Sequence, residues 1–518
     1  MARARSTKKS RGFLVQKPLG QFTDRVQAVG PEHFGVVSVD CAKARSKFFL
    51  CDFYGKVFIE PTPVEHTQSD LRAACDRVRA AMSTHELHDM VVAIERTGTY
   101  HRPILDAFRR ARFETRLVHP FASKQFRQPA DADNKTDDTD LAGIFRAAVN
   151  GFGLLQPIWP DVYLELQQLS RRRRDLVVKV SILRCQIKET LHQLMPGYAE
   201  LFADHFFDTP VALPLARATG SAQAVLDAGL QGLPQLIPND IHYRMATLAR
   251  ILEWARHAAP AQNPWQLWRD QLDHLADDFL QKSKEICVLE QHLAHLLVGT
   301  PSIHLLALPG ICVVSAAELA GELGPIEFYA DANHITGRAG LCPSRYQSDQ
   351  VDSHGPLRRR ANRRLRAVLL RIADNLIRHN HHYQARDDRW QRQHKDPRWI
   401  RVKVAKSFSR LAFVMLTGRC LFPHPSCQPR HSICDKVLAF HCERKTDIQR
   451  ALQDIERLSS QLSDRTRQQE GEMLQSQLDD RSCRRRRGPQ AIGQIIPLVL
   501  ARLGIRMVES EAEGEDSN

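Results

Sequence analysis

The sequence predicts an α/β domain followed by a long, mostly helical region, α/β plus all-α in class. Three observations carry this reading. Residues 34–60 hold three short apolar runs of strand character. Strands and helical stretches then alternate to about residue 150. From about residue 161 the apolar residues recur at helical spacing. At 518 residues the chain is too long for a single core.

The first run is FGVVSVD, ending at Asp40, followed by SKFFLCDF and KVFIEP, with Gly55 placed to turn a hairpin between the last two. HTQSDLRAACDRVRAAM reads as a helix. DMVVAIE reads as a buried strand ending at Glu95, closed by the turn-like Arg96-Thr97-Gly98-Thr99. The helix YHRPILDAFRRARF and the strand TRLVHP come next. A helix over 134–150 has Asn134 or Thr136 as its N-cap, and Pro157 and Pro160 mark the end of the domain. Beyond it, from about 161 to 300 the chain reads as nearly all helix, and residues 164–194 and 265–297 form two long amphipathic, charged stretches. The intervening 209–242 is broken by Pro210, Pro214, Pro234 and Pro238, so the pair predicts an antiparallel coiled coil or helical stalk with an insert. Residues 304–380 read as a compact unit with a basic loop and a closing helix. Further helical stretches and an acidic tail, EGEDSN, follow. The expected organisation is therefore a basic disordered arm over 1–33, the α/β domain over 34–152, a helical or coiled-coil region over 153–300, a further domain over 301–385, and a helical extension over 386–518.

The formal net charge of +14 and pI of about 9.4 favour a polyanionic partner, most simply nucleic acid. No apolar run has the length of a membrane-spanning helix. The basic N-terminus lacks a signal-peptide core, and twelve scattered cysteines fit free thiols in a reducing cytosol.

Four acidic residues hold most of the chemical information. Asp40 and Glu95 end apolar strands, and Asp137 and Asp140 stand three apart near a helix start. Any one of them reads most simply as a turn-bonding or helix-starting carboxylate. Their joint order within one α/β domain raises the functional reading. Oxygen ligands converging in this way suit Mg²⁺, and in so basic a chain magnesium points to phosphodiester chemistry.

VVSVDCAK, VVAIERTGTYHRPI and NKTDDTDLAGIFRA resemble the N-terminal DEDD domain of the IS110/IS1111 family of transposases. LLALPGICVVSAAELAGELG, ITGRAGLCPSRYQSDQ and RRRANRRLRAVLLRIAD are similar to that family's C-terminal transposase domain. The two motif sets span roughly 34–385 in the family's order. The resemblance implies an RNase H-like (RuvC-like) fold for the first domain, with Asp40, Glu95, Asp137 and Asp140 holding Mg²⁺, up to two ions. For the second it implies a serine nucleophile matching Ser348, with Ser344 and Ser353 as nearby alternatives and Asp349 where the family usually has Gly. It further implies an insertion-sequence transposase that acts on DNA at element ends and target, a guide RNA from the element itself, a homo-oligomer (dimer or tetramer), and the bacterial cytoplasm near the nucleoid. Rival expectations are a RuvC-like nuclease using metal-activated water and a catalytically inactive nucleic-acid binder.

Several smaller features complete the reading. Leu308-Pro309-Gly310-Ile311 opens a helix-hairpin-helix-like segment in which Gly310 could present its backbone to a phosphate. Arginines cluster at 171–174, 358–366 and 484–487, and each cluster could be a solvated helix face. The middle one, with Arg358, Arg359, Arg360, Arg363 and Arg364, lies beside Ser348 and, with Arg345, is the best candidate for nucleic-acid contact. Cys420, His424, Cys427, His431, Cys434, His441 and Cys442 lack a CxxC pair and read as scattered side chains rather than a zinc site.

Overall fold

The computed structural model describes residues 22–127, 136–155, 158–261, 265–348, 351–421, 423–479 and 497–504. The chain divides into two compact units, Met1–Ile158 and Trp159–Asn518.

The first unit is built on a six-stranded mixed sheet. Its elements are α1 (Thr23–Val29), β1 (Phe34–Cys41), β2 (Arg45–Asp52), β3 (Val57–Glu65), α2 (Gln68–Thr84), β4 (Asp89–Glu95), α3 (Arg102–Arg110), β5 (Thr115–Val118), α4 (Pro120–Arg127), α5 (Asp137–Val149) and β6 (Gly153–Leu155). The strand order is β3-β2-β1-β4-β5-β6. β1, β4 and β5 are parallel, and β2, β3 and β6 are antiparallel to their neighbours. Gly55, at φ +98°, turns the β2–β3 hairpin, a conformation that favours glycine. The central strands are buried on both faces, which is why β1 and β4 read as near-continuous apolar runs. On one face Val37, Val39, Val92 and Ile94 pack with residues of α2 and α3. On the other, Val36 and Val91 meet Leu141, and Ala93 meets Ile144, both from α5.

Two parts of this unit differ from the expectation. Residues 22–33 were assigned to the disordered arm, yet α1 lies among them with Phe22 and Val26 buried in the core. Arg25 ties that helix to the sheet through Asp89 at 2.6 Å and Glu114 at 2.8 Å. The rest of the arm, 1–21, lies outside the described residues. The sheet also continues past 152 through β6, which pairs with β5. Three residues are too few to show strand alternation in sequence.

The second unit is mostly helical. Its long helices are α6 (Asp161–Leu194) and, after α7 (Ala212–Thr219), α8 (Ala222–Gly232) and α9 (Met245–His257), α10 (Trp265–Leu297). α6 is about 50 Å long at the usual helical rise. The two long helices run antiparallel: Arg172 pairs with Glu285, while further along α6 Arg184 lies over the Phe279 ring at 5.8 Å. The predicted stalk is therefore present, and its far end joins α7–α9 in a separate core that includes Leu191, Leu194, Leu215, Leu248 and Leu272.

The remaining elements are α11 (Val313–Leu323), α12 (Ala332–Arg338), β7 (Pro343–Ser348), β8 (Val351–Leu357), α13 (Arg363–His379), α14 (His381–Arg392), α15 (Pro397–Gly418), α16 (Ile433–Glu443), α17 (Ile448–Gln461) and α18 (Asp464–Asp479). One hydrophobic cluster runs through them. It joins Leu166, Leu293, Leu319 and Leu369 to Phe408, Val437 and Ile455. The helices of 386–479, separated in the sequence as an extension, thus supply part of the core that α11 and α13 pack into. Lys436 on α16 reinforces it: its ammonium donates to the carbonyls of Leu306, Leu308 and Ile311 at 2.6, 2.8 and 2.9 Å.

Candidate active site

The carboxylates of the first unit are brought together by strand alternation and by one helix. Along β1, Val36, Ser38 and Asp40 share the face that packs against α5, and along β4 Val91, Ala93 and Glu95 share it too. Val39 is aligned with Ile94 in the parallel pair, so Asp40 and Glu95 end adjacent strands on the same side. The N-terminus of α5 is fixed by a reciprocal cap. The Thr136 hydroxyl accepts from the Thr139 amide at 3.2 Å, and the Thr139 hydroxyl accepts from the Thr136 amide at 2.9 Å. This sets Asp137 and Asp140 in the helix's first turn. Asn134, the other candidate cap, lies outside the described residues.

Electrostatics report how close the four are. Asp40 is pushed up to about 6, first by burial and then by the charges of Glu95, Asp140 and Asp137, while the Cys41 amide pulls it down. Asp138 turns elsewhere and takes Lys47 at 2.6 Å. Two residues of α4 escaped the sequence reading. Ser123 donates to Glu95, and Arg127 pairs with Asp140. Their only signal was an i,i+4 spacing on a short helix that was not predicted. Gly143 of α5 lets α4 this close, because a Cβ there would stand 2.7 Å from the Ser123 carbonyl oxygen.

The donor set is entirely oxygen, the chemistry of a Mg²⁺ site, and a divalent cation would offset the mutual repulsion felt by Asp40. Among the described residues no three His, Cys, Asp or Glu side chains close into a metal-holding group. Asp140 and Glu95 spend oxygens on Arg127 and Ser123 instead. The Cys/His-rich stretch 420–442 likewise forms no such group among the described residues.

Ser348 belongs to the second unit. It is the last residue of β7, paired with Val351 across the antiparallel β7–β8 hairpin, and every residue of β7 is exposed. Asp349 lies outside the described residues. Ser344 donates to the Pro356 carbonyl at 3.1 Å, and Ser353 sits opposite Tyr346 within the ladder. Arg345 holds Asp352 in a two-pronged ion pair at 2.6 and 2.8 Å. Arg358, Arg359, Arg360, Arg363 and Arg364 are all exposed where the hairpin leads into α13.

Gly310, at φ +88°, is half-buried and backs onto α13, where a Cβ would meet the Asn375 carbonyl oxygen at 2.9 Å. Close packing is thus one reason for glycine there. The 171–174 arginines are largely structural: Arg171 pairs with Glu322 at 2.7 Å and Arg173 with Glu290 at 2.6 Å. The 484–487 cluster lies outside the described residues.

The model of a family described as Transposase, the DEDD domain of IS110, matches residues 37–196. A second, described as Transposase IS116/IS110/IS902 family, matches residues 303–388. The chain belongs to the IS110 family of transposases. No curated protein matches it. Membership makes it an insertion-sequence transposase, an enzyme that binds, cuts and recombines DNA. The two matched segments contain the two residue groups described above: the four carboxylates in the first and Ser348 with its arginines in the second. Among the described residues no helix is long and apolar enough to cross a membrane.

Proposed function

We propose that this transposase cuts and rejoins DNA through a serine-linked intermediate, with Mg²⁺ held by Asp40, Glu95, Asp137 and Asp140. The observation that carries the reading is the placing of Asp40 and Glu95 at the ends of adjacent strands on the face that packs against α5, whose first turn carries Asp137 and Asp140. The strand order β3-β2-β1-β4-β5, with the first three antiparallel and the last three parallel, supports an RNase H-like (RuvC-like) fold for this unit. When bound, Mg²⁺ would supply Lewis-acid stabilisation of charge on phosphoryl oxygens.

Ser348 is the nucleophile of this proposal. Its exposure at the end of β7 leaves Oγ accessible to a DNA phosphate. Oγ forms a bond to phosphorus as the bond to one deoxyribose oxygen breaks, and the proton lost by the serine is balanced by the one the departing oxygen gains. Rejoining reverses the exchange on a different strand. The exposed arginines at 358–364 would hold the backbone through phosphate contacts. A guide RNA from the element and assembly into a dimer or tetramer belong to the same proposal. The chain's basic charge and the need to hold several strands at once support them.

Trapping tests the proposal. Incubated with its element-end DNA and Mg²⁺, the wild-type chain should yield a covalent protein–DNA adduct on a denaturing gel. Ser348→Ala should abolish the adduct and strand exchange, and Asp40→Asn should lower both by about 10³-fold or more. Ser344→Ala and Ser353→Ala should keep the adduct. Cleavage that persists without an adduct in Ser348→Ala would replace the serine route with hydrolysis by metal-activated water. Equal behaviour of Asp40→Asn and the wild type would remove the carboxylates from the chemistry.

A further inference from the structure

The corner between α14 and α15 carries two tryptophans in an unusual setting. Trp390, near the end of α14, and Trp399, in the first turn of α15, meet edge to face, with ring centroids 5.5 Å apart at 83°. Arg386 lies over the Trp390 ring at 5.0 Å and Lys403 over the Trp399 ring at 4.8 Å. Trp390 packs partly against the core, but Trp399 is 39% exposed. Trp399 thus offers an aromatic face to the surface, held in place by its contacts with Trp390 and Lys403.

The surroundings specify the chemistry of the cover. Arg389, Arg392, Lys395 and Arg398 are all exposed around the pair. Of the acids nearby, Asp396 caps α15 by accepting from the Arg398 amide at 2.6 Å, Asp387 accepts from Gln391 at 2.6 Å, and Asp388 is exposed, so the cations still outnumber the acids around the pair. The excess of cations over acids around the pair favours a polyanionic cover. Aromatic rings set among cations are what unpaired nucleotides require: bases stack on the rings while phosphates meet the charges. In duplex DNA the bases are already stacked on one another and offer no free face.

We propose that the Trp390–Trp399 corner is a docking platform for an unpaired DNA strand, built from residues other than the carboxylates and Ser348. DNA is chosen over RNA because the family acts on DNA, and strand cutting and exchange expose unpaired bases. The platform straddles the end of the second matched segment at residue 388 and gives a role to residues that segment does not cover. It does not depend on which group is the nucleophile.

The test uses the full-length chain and three short fluorescein-labelled probes: oligothymidylate, a DNA duplex of the same length, and oligouridylate. Trp399→Ala should weaken oligothymidylate binding by roughly ten-fold or more while changing duplex binding less than about two-fold. Trp399→Phe should restore most of the loss, and the melting temperatures of both variants should match the wild type. Replacing Arg392, Lys395 and Arg398 together with Ala should lower oligothymidylate affinity and flatten its dependence on salt. The proposal is overturned if Trp399→Ala binds oligothymidylate like the wild type, or if it loses single strand and duplex equally. It is also overturned if the loss is confined to oligouridylate, which would make the occupant RNA, or if only the oligomeric state changes, which would make it a second copy of the chain.

Discussion

Lys436 is a residue whose role was invisible in sequence and follows from its surroundings. Burial lowers it from the usual 10.5 to about 8, while its three carbonyl partners bind together the segment that precedes α11. Because the folded value is depressed, the cost of holding the charged ammonium is fully present below about pH 8. Between pH 8 and 10.5 the unfolded chain binds a proton that the folded chain has released, so this lysine's contribution to stability rises with pH across that window. Urea denaturation of the wild type and Lys436→Met should therefore show the wild type gaining on the variant by up to about 3 kcal/mol from pH 8 to 10.5. A difference that stays flat would mean the lysine keeps its proton throughout. The four carboxylates were the opposite case. Asp40, Glu95, Asp137 and Asp140 stood out in sequence as candidates because strand-ending acids and an i,i+3 pair have visible spacing. Ser123 and Arg127 could not, because what marks them is proximity across α4 and α5.

At the scale of elements, legibility followed length and pattern. α6 and α10 carry long periodic signals, β1 and β4 carry unbroken apolar runs, and all four were predicted close to their observed bounds. α4 and β6 are short, and only packing makes them regular. The β7–β8 hairpin was read as a basic loop because exposed β7 lacks the apolar alternation that marks a half-buried sheet. The contact between α4 and α5 depends on Gly143. Gly143→Val should destabilise the chain by about 1–3 kcal/mol in urea denaturation, because the new side chain meets backbone that cannot swing aside. It should also reduce strand cleavage, since α4 carries the partners of Glu95 and Asp140. Gly337 in α12, where an added Cβ would meet nothing within 4 Å, is the control: Gly337→Ala should be neutral or gain up to about 1 kcal/mol.

For the whole molecule, the sequence separated a unit ending at 385 from an extension. A long-range core has no local signature, so nothing in the chain announced that Phe408, Val437 and Ile455 join Leu319 and Leu369 in one cluster. A chain truncated after residue 385 should accordingly fail to fold its second unit. It should elute as aggregate on size exclusion and show reduced helical circular dichroism, whereas a true appendage would leave a monodisperse, fully helical remainder. The start of the chain taught the same lesson, since α1 looked like part of a tail until Arg25 was seen gripping Asp89 and Glu114.

The antiparallel pair of α6 and α10 also bears on how the second unit reaches its native state. Bringing Leu194 beside Leu272 requires closing only the insert between the two helices, whereas bringing Leu166 beside Leu297 requires closing nearly everything from 161 to 300. The smaller loop forfeits less chain entropy, and its core is rewarded at once by burial of α7–α9. Each later contact along the two helices then adds little further loop. Folding is thereby favoured to begin at the insert and run as a zipper, delivering the start of α6 to α11 last, so the insert would set the pace at which this enzyme matures.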